Sequence, residues 1–416
     1  MISEDTASAV HIEPLTPVYV TTRTVEFDQM ATRDWVQVAR SFASSIEAAR
    51  ERIDQQRRVP SDLIAAMVDA GLFRLATPRV YGGGEASFVT LARTIEELSR
   101  ADGSVGWTVL IGNNQGYHAG YLPEATAAEI YGANPSVIVA GSGFARQAAA
   151  RPVRGGYELT GRWGLASGCP EASWFAAAAP ILRDAESMPT SGATGAPDVH
   201  LFFVPKAACT ILETWDAVGL RGTSSHDFEV RGVFVPEGWH YPLRGASSRL
   251  AGPLWRDTFL GVAAHGLAAV ALGIARAAID ELTGLAATKT SHFSSTPLRD
   301  RPTIQAKLAQ AEALVRSARA FFYETLEDVW QAACEGNSPS PRQAALSQLA
   351  RTHAAQACAE AVDLMYTAAG STALYATNRI ARCFCDIHAV TQHGVVSPLG
   401  WEQTGRAFLG LEMGGR

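Results

Sequence analysis

Cysteine is scarce in this sequence, since the chain has six in 416 residues and none of them forms a CxxC pair. This usage argues against a disulfide scaffold or a zinc ribbon. Cys383 and Cys385 stand closest together, but side chains two residues apart on a helix point about 200° away from each other. We therefore expect reduced bystander thiols and a cytoplasmic protein.

Long runs of one charge and a secretory signal are also missing. The 41 acidic and 35 basic residues, with a net charge of -6, are scattered along the chain and form no phosphate-binding stripe. This pattern argues against nucleic acid as a partner. Residues 1–5 carry acids where a signal peptide carries Lys or Arg, and no apolar segment follows, so export is not expected.

The longest apolar stretch, residues 258–275, consists largely of Ala and Gly and includes His265. Small residues of this kind pack helices closely and partition weakly into lipid. The stretch therefore predicts a core helix, and no membrane association is expected.

Residues 1–30 are predicted to form a tail, and residues 31–134 a helical domain. Apolar positions in this domain recur at the 3.6-residue spacing of helices. Pro60-Ser61 offers a helix start and Gly71 a helix end. The predicted helices cover residues 35–53, 61–71, 88–100 and 104–121.

The pattern changes over residues 135–248 to short apolar runs broken by Gly, Pro and Asp, which is typical of strands. We expect a small antiparallel, barrel-like β domain. Arg154-Gly155-Gly156 is predicted to form a hairpin turn, and residues 186–197 an exposed loop. The predicted strands cover residues 137–140, 157–160, 174–177, 201–204 and 228–230.

Long helical patterns return over residues 249–416, separated by turns rich in Ser, Thr, Pro and Gly. Helices of about thirty residues each predict a bundle. The predicted helices cover residues 257–287, 302–334 and 341–369.

Several segments between residues 35 and 412 together resemble the acyl-CoA dehydrogenase superfamily. The resemblance implies an α+β, mostly α fold with an N-terminal helical domain, a middle antiparallel β domain and a C-terminal four-helix bundle. The segments are Ala70–Arg74 with Tyr81–Gly84, Gly161–Gly168, Gly219–Ser225, Pro302–Gln305 and Ala369–Thr372.

In that family a flavin lies between the β domain and the C-terminal bundle. The segment Gly161–Gly168 is similar to the one that lies along the isoalloxazine ring. By resemblance, Trp163 provides an aromatic wall, Ser167 a hydroxyl for N5, and Gly168 a position of close approach. The alternative for Ser167 is an ordinary turn residue.

Gly141, Ser142 and Gly143 follow a predicted strand, as the family's second flavin-contacting loop does, and their small size permits backbone contact with a cofactor. An ordinary tight turn is the alternative. The run from Gly141 to Arg146 is not a GxGxxG motif, because it ends in Arg and lacks the strand-helix unit, so no nicotinamide site is visible.

The sequence departs from the family's dehydrogenases at their catalytic base. They carry a Glu nine residues before the Asp of an Arg-Asp pair, and the corresponding positions here are Thr377 and Asp386. A neutral hydroxyl cannot replace a carboxylate as general base. The family's alternative position, near residues 276–279, also lacks a Glu, although Asp280 and Glu281 follow it directly.

The segment from Asp386 to His393 is similar to that of the two-component flavin monooxygenases of this superfamily, whose signature histidine matches His393. The resemblance implies that a separate NAD(P)H-dependent reductase supplies FMNH2 or FADH2, that O2 forms a C4a-hydroperoxyflavin, and that the distal oxygen passes to a small substrate. It also implies a homotetramer. His393 is expected at the reactive face as base or as proton donor, because its pKa lies near working pH.

Two substrate-side residues, Asn114 and His118, are expected on the helix after Ser104, where family members often place a His. Three consecutive amides, from Asn113 to Gln115, would be costly to bury without partners, so they are expected to face a cavity or solvent.

No metal is expected at Asp386, His388 and His393, because positions i, i+2 and i+7 of a helix do not converge on one point. The function that the sequence favours is the oxygenase component of a flavin-dependent monooxygenase that hydroxylates a small aromatic or polycyclic substrate. The alternatives are N- or S-oxygenation, an acyl-CoA dehydrogenase or oxidase with an atypical base, and a non-catalytic scaffold of the same fold.

Overall fold

The structure is a computed structural model that describes residues 33–143, 145–182, 197–256, 261–290 and 296–413. Three predicted features fall outside these ranges: the tail, most of the loop at 186–197, and the first residues of the helix at 257–287. Within the described ranges the elements follow the predicted order of helices, strands and long helices.

The N-terminal domain is helical and is built around its fifth helix. Its helices are α1 Trp35–Ser41, α2 Ala43–Gln56, α3 Ser61–Asp69, α4 Phe88–Ala101, α5 Gly103–Tyr117 and α6 Glu124–Ala127. Asp102 caps α5, because its Oδ1 accepts hydrogen bonds from the N–H groups of Ser104 and Val105 at 2.9 and 3.3 Å. Nearly every residue of α5 is buried. This helix is therefore fixed in place on all sides.

The middle domain consists of two four-stranded sheets, ordered β1-β4-β5-β8 and β2-β3-β7-β6. The strands are β1 Val139–Ser142, β2 Ala145–Val153, β3 Gly156–Ala166, β4 Trp174–Pro180, β5 Val199–Pro205, β6 Thr210–Leu212, β7 His226–Pro236 and β8 His240–Pro242. β1 and β4 run parallel, whereas the sequence pattern predicted antiparallel strands. The other strand pairs are antiparallel.

The hairpin between β2 and β3 turns at Arg154 and Gly155, where Gly155 has a φ of +88°. A positive φ favours glycine, which explains the predicted turn. The sequence pattern did not reveal β2, because the strand is rich in Ala and Arg and mostly exposed, so it lacks the apolar alternation of a half-buried strand.

The C-terminal region is a bundle of long helices: α7 Gly261–Thr288, α8 Pro302–Cys334, α9 Pro341–Ala369, α10 Arg379–Thr391 and α11 Leu399–Phe408. The bounds of α8 and α9 are the predicted ones. α7 is long and apolar enough to cross a membrane by composition, but 94% of its apolar window is buried inside the protein. It is the central helix of the bundle, as the Ala/Gly composition predicted.

The loop over residues 219–225 joins the three regions. Leu220 donates its N–H to Asp386 Oδ1 on α10 at 2.5 Å, and Gly222 donates its N–H to Ser104 Oγ on α5 at 3.1 Å. A Cβ on Gly219 would lie 2.0 Å from the carbonyl oxygen of Cys385, so only glycine allows the loop to approach α10 this closely. The loop therefore fixes the middle domain against both helical domains.

Candidate active site

Trp107 on α5 brings together the two side chains that were predicted to be catalytic. Its indole Nε1–H donates a hydrogen bond to Ser167 Oγ at 3.0 Å. On its other side the indole ring meets the imidazole of His393, with ring centroids 5.9 Å apart and planes at 67°. The three residues come from the N-terminal, middle and C-terminal domains, so the site exists only when the three domains are packed together.

Ser167 lies in the turn that follows β3, and the backbone there is held in unusual conformations. Leu165 has a φ of +63° and Gly168 a φ of +74°. The Gly168 N–H donates to the carbonyl of Thr223 at 2.8 Å. A Cβ on Gly168 would lie 3.3 Å from Thr108 Cγ2 on α5. Glycine therefore allows this turn to press against the helix that carries Trp107.

The Ser167 hydroxyl is the first of three hydroxyls joined by hydrogen bonds, and the other two belong to the loop at 219–225. Ser167 Oγ and Ser225 Oγ are 2.7 Å apart, and Ser225 Oγ and Thr223 Oγ1 are also 2.7 Å apart. Thr223 Oγ1 donates to the carbonyl oxygen of Leu220 at 2.9 Å. We refer to Ser167, Ser225 and Thr223 as the hydroxyl relay. All three side chains are buried.

His393 lies two residues beyond the end of α10 and begins a short 3-10 turn, so it is not on the helix where the sequence placed it. Its Nδ1 accepts the N–H of Val395 at 3.3 Å. A ring nitrogen that accepts carries no proton, so Nε2 carries the proton of the neutral ring. Burial lowers the pKa of His393 below its ordinary value, which favours this neutral form.

Comparison with known proteins identifies the family of the chain. Residues 29–122 match the acyl-CoA dehydrogenase N-terminal domain and residues 265–398 the acyl-CoA dehydrogenase C-terminal domain. The chain is 38% identical over 378 residues to an indole-3-acetate monooxygenase from Pseudomonas putida. The aligned region covers 89% of this chain and 94% of the relative. The chain belongs to the acyl-CoA dehydrogenase superfamily.

Other similar proteins indicate which group within the superfamily the chain belongs to. The oxygenase component of an FADH2-dependent resorcinol hydroxylase from Rhizobium sp. is 27% identical over 90% of this chain and 93% of its own. The 3-HSA hydroxylase from Rhodococcus sp. RHA1 shares the fold, with a TM-score of 0.84 and 23% identity over 92% of this chain and 99% of that one. Within the superfamily the chain is a flavin-dependent monooxygenase, an oxygenase component that takes reduced flavin from a separate reductase.

The turn of Ser167 presents one exposed apolar side chain. Leu165, whose carbonyl oxygen accepts the Ser167 N–H at 3.0 Å, is 51% exposed. A Cβ on Gly143 would meet nothing within 4 Å, so the end of β1 has open space beside it. At Gly141 the close approach of the neighbouring strand requires glycine, because a Cβ there would lie 2.5 Å from the carbonyl oxygen of Ala176. Ser142 between them is buried.

Trp163 is not placed as the predicted aromatic wall. Its side chain is 0% exposed, its ring stacks on Phe228 with centroids 5.0 Å apart, and its Nε1–H donates to the carbonyl of Ala178 at 2.7 Å. The ring fills the space between the two sheets and has no face left for a cofactor. We therefore assign Trp163 to the core of the middle domain.

Among the described residues, no free carboxylate stands at the positions where dehydrogenases of the superfamily carry their catalytic base. Thr377 lies in an exposed turn before α10. Asp280 pairs with Arg276 at 2.9 Å and with Arg100 at 2.7 Å on the partly exposed side of α7, and Glu281 faces Arg379 at 3.9 Å. Both carboxylates are therefore held by arginines and do not supply a free base.

Asn114 and His118, predicted on the substrate side, are buried in a hydrogen-bonded chain. Asn114 Oδ1 accepts the N–H of Ala263 at 3.2 Å, so its Nδ2 is the atom 3.5 Å from His118 Nε2. His118 Nδ1 is 2.6 Å from the hydroxyl of Tyr241, and burial lowers the pKa of His118 to about 3. The expectation of solvent exposure for this segment is wrong. These residues tie α5 to α7 and β8.

Asp386, His388 and His393 contact different neighbours. Asp386 accepts from the Leu220 N–H, and His388 Nε2 lies 2.9 Å from Asp363 Oδ1 on α9. In the described ranges no group of three or more His, Cys, Asp or Glu side chains is arranged to hold a metal. The run from Gly141 toward Arg146 passes from β1 to β2, so its described part joins two strands, unlike the strand-helix turn of a nucleotide motif.

Sequence reasoning missed Trp107, Ser225 and Thr223. Trp107 lies in a largely apolar helix, and the sequence pattern there indicates only a core residue. Ser225 and Thr223 belong to the Gly219–Ser225 segment that carries the family resemblance, which was the available signal, but nothing in the sequence places them against Ser167.

Proposed function

We propose that this oxygenase hydroxylates a small aromatic substrate, with Ser167 contacting the reduced flavin and His393 donating a hydrogen bond to the substrate. The observation that carries the assignment of these roles is the position of Trp107, which contacts both side chains. An aromatic ring between a flavin-side hydroxyl and a substrate-side imidazole favours a flat aromatic substrate, because ring edges and faces attract one another.

Ser167, with Gly143 directly after β1, is the part of the site that we assign to flavin binding. When bound, reduced flavin supplies the electrons that activate O2. Ser167 Oγ already accepts the Trp107 N–H, which fixes its position. Leu165, exposed in the same turn, is proposed to provide an apolar surface on which a ring system loses contact with water.

His393 is proposed to donate a hydrogen bond from its Nε2–H to an oxygen atom of the substrate, and the proton stays on the ring. The hydrogen bond from the Val395 N–H to Nδ1 supports this choice, because it leaves the proton on Nε2. His393 thus begins the reaction as a neutral donor. A preorganised neutral donor of this kind, directed at an oxygen where charge develops, contributes about 10²- to 10³-fold.

Indole-type and phenol-type rings are the substrate classes that the relatives favour, since the names of two of them specify indole-3-acetate and resorcinol. The test supplies the protein with NADH, a flavin reductase, FMN or FAD, and ¹⁸O2, and offers indole-3-acetate, resorcinol or an acyl-CoA. We expect one ¹⁸O atom in an aromatic product. Oxidation of the acyl-CoA by the oxidised flavoprotein, or release of H2O2 without any product, would contradict the proposal.

A homotetramer is proposed as the assembly. The C-terminal helix α11 and the residues after it expose several large apolar side chains. Such a group of exposed apolar side chains indicates a contact surface between subunits. They are Leu399, Trp401, Phe408, Leu409 and Leu411. Light scattering coupled to size-exclusion chromatography should give four times the chain mass of 44.3 kDa, and a monomer at micromolar concentration would exclude this assembly.

A further inference from the structure

The hydroxyl relay has a fixed direction. The carbonyl oxygen of Leu220 can only accept, so the single hydroxyl proton of Thr223 is committed to it. Thr223 Oγ1 must then accept from Ser225, whose proton is committed in turn. Ser225 Oγ must therefore accept from Ser167. The Ser167 proton points toward Ser225, and its oxygen is left as an acceptor that already receives the Trp107 N–H.

This direction matters because reduced and oxidised flavins differ at the atom that Ser167 is proposed to contact. N5 of a reduced flavin carries a proton and donates, whereas N5 of an oxidised flavin has a lone pair and accepts. We infer that Ser225 and Thr223 are positioning residues that keep the Ser167 hydroxyl in its accepting orientation, so that the site selects reduced flavin over oxidised flavin. The inference rests on the proposed flavin contact of Ser167.

The packing around the relay supports a role in orientation. The turn of Ser167 and the loop of Ser225 are already joined by the backbone hydrogen bond from Gly168 N–H to the Thr223 carbonyl at 2.8 Å. The hydroxyls are therefore not required to hold these two segments together. Thr223 and Ser225 are also buried, so water does not compete for their hydrogen bonds.

Backbone strain is concentrated at the same place. In the described ranges, five non-glycine residues have a positive φ, and three of them, Leu165, Leu220 and Ser224, lie in the two segments that carry the relay. A fourth, Arg57, accepts the Ser224 hydroxyl at its carbonyl. Such conformations cost about 1 to 3 kcal/mol each and cluster at functional sites, where the surrounding structure enforces them.

The first test compares the affinities of the protein for FMNH2 and FADH2, measured anaerobically, with those for FMN and FAD. The wild-type protein should bind the reduced forms at least about tenfold more tightly, the effect of one good hydrogen bond. Ser225→Ala and Thr223→Val free the Ser167 proton and should bring the ratio close to one. Ser225→Thr and Thr223→Ser keep the hydroxyls and should restore it.

Ser224→Ala is the matched control, because its hydroxyl lies in the same loop but donates to the Arg57 carbonyl, outside the relay. It should keep the wild-type ratio. Circular dichroism melts establish that each variant is folded. A wild-type ratio in both Ser225→Ala and Thr223→Val would overturn the inference.

The second test needs no flavin. Neutron diffraction from deuterium-exchanged crystals of the flavin-free protein should show the Ser167 deuteron directed at Ser225. A deuteron on Ser225 directed at Ser167 would overturn the inference. If the protein instead binds neither redox state of either flavin, the proposed function fails, and the deuteron position still decides the direction of the relay.

Discussion

The imidazole of His393 meets the indole of Trp107 edge to face, with ring centroids 5.9 Å apart. Trp107 belongs to a helix that is buried on every side, whereas His393 stands in a short turn after α10. The rigid helix therefore sets the position of the histidine. Because the same indole also donates to Ser167, a change at Trp107 should affect both halves of the site.

Replacing His393 with Ala should reduce product formation by about 10²- to 10³-fold, the range of a lost hydrogen-bond donor at the reacting atoms. The fold should persist, because the ring is only partly buried and its one hydrogen bond is local. Product yield and H2O2 release are measured together. His388→Ala is the control, since that ring pairs with Asp363 on the partly exposed side of α10. Equal losses in both variants would remove His393 from the mechanism.

The acid limb of the pH profile should lie below pH 6.5. Burial lowers the pKa of His393 from its ordinary value of 6.5, so the neutral ring, with Nδ1 accepting from Val395, persists to lower pH. The imidazolium no longer accepts the Val395 N–H, so the ring loses its fixed orientation and activity falls only when the pH drops through the lowered pKa. The measurement is kcat/KM from pH 5 to 8. If the acid limb lies above pH 6.5 and persists in the His393→Gln variant, a group other than His393 causes it.

Helix prediction succeeded where the apolar pattern was long and its ends were marked. α8 and α9 begin at Pro302 and Pro341, which fix φ at the first helical turn, and their predicted bounds agree with the structure. β2 was missed because its side chains are mostly exposed and carry no apolar alternation. Local pattern therefore reveals elements that bury one face and misses those that do not.

The site was predictable only in part, because its contacts join residues far apart in the chain. Ser167 and His393 were predicted by resemblance, yet no local signal shows that Trp107 lies between them. Trp163 was misassigned for a related reason, since an aromatic residue beside a glycine-rich turn looks the same in sequence whether it faces a cofactor or Phe228. Which face of a strand is covered is decided by the second sheet.

Asp386 should make the protein less stable as the pH rises. Burial, and then the nearby carboxylate of Asp102, raise the pKa of Asp386 to about 7. Below about pH 4 the group is protonated in both states. Between there and pH 7 only the unfolded chain ionises, so stability falls by at most about 1.4 kcal/mol per pH unit, and above pH 7 the loss is complete.

Asp386→Asn removes this titration and keeps an oxygen for the Leu220 N–H. Urea unfolding at pH 5 and pH 8 should therefore show a smaller loss of stability in the variant than in the wild type. Asp363→Asn, at a carboxylate that is 49% exposed, is the control. If the variant and the wild type lose the same stability between the two pH values, Asp386 ionises normally.

Trp107→Phe separates the two contacts of Trp107. A phenyl ring retains an edge for His393 but has no N–H for Ser167, so the Ser167 oxygen loses the hydrogen bond that fixes it. We expect about a fivefold lower yield of product per NADH, since one hydrogen bond contributes on the order of 1 kcal/mol. Trp255→Phe is the control, because it loses a similar bond to the Tyr117 carbonyl away from Ser167. Equal yields in the two variants would contradict the assignment.

Gly168→Ala tests whether the turn of Ser167 must press against α5. The φ of +74° makes Ala cost about 1 to 2 kcal/mol, and its Cβ would also lie 3.3 Å from Thr108 Cγ2. Gly155→Ala is matched to it, because its φ is +88° but the nearest atom, on Phe234, is 4.0 Å away. Both variants should melt several degrees lower, while only Gly168→Ala should weaken binding of reduced flavin, since it alone pushes the turn away from Trp107. Equal flavin affinity in the two variants would show that the contact with α5 does not position Ser167.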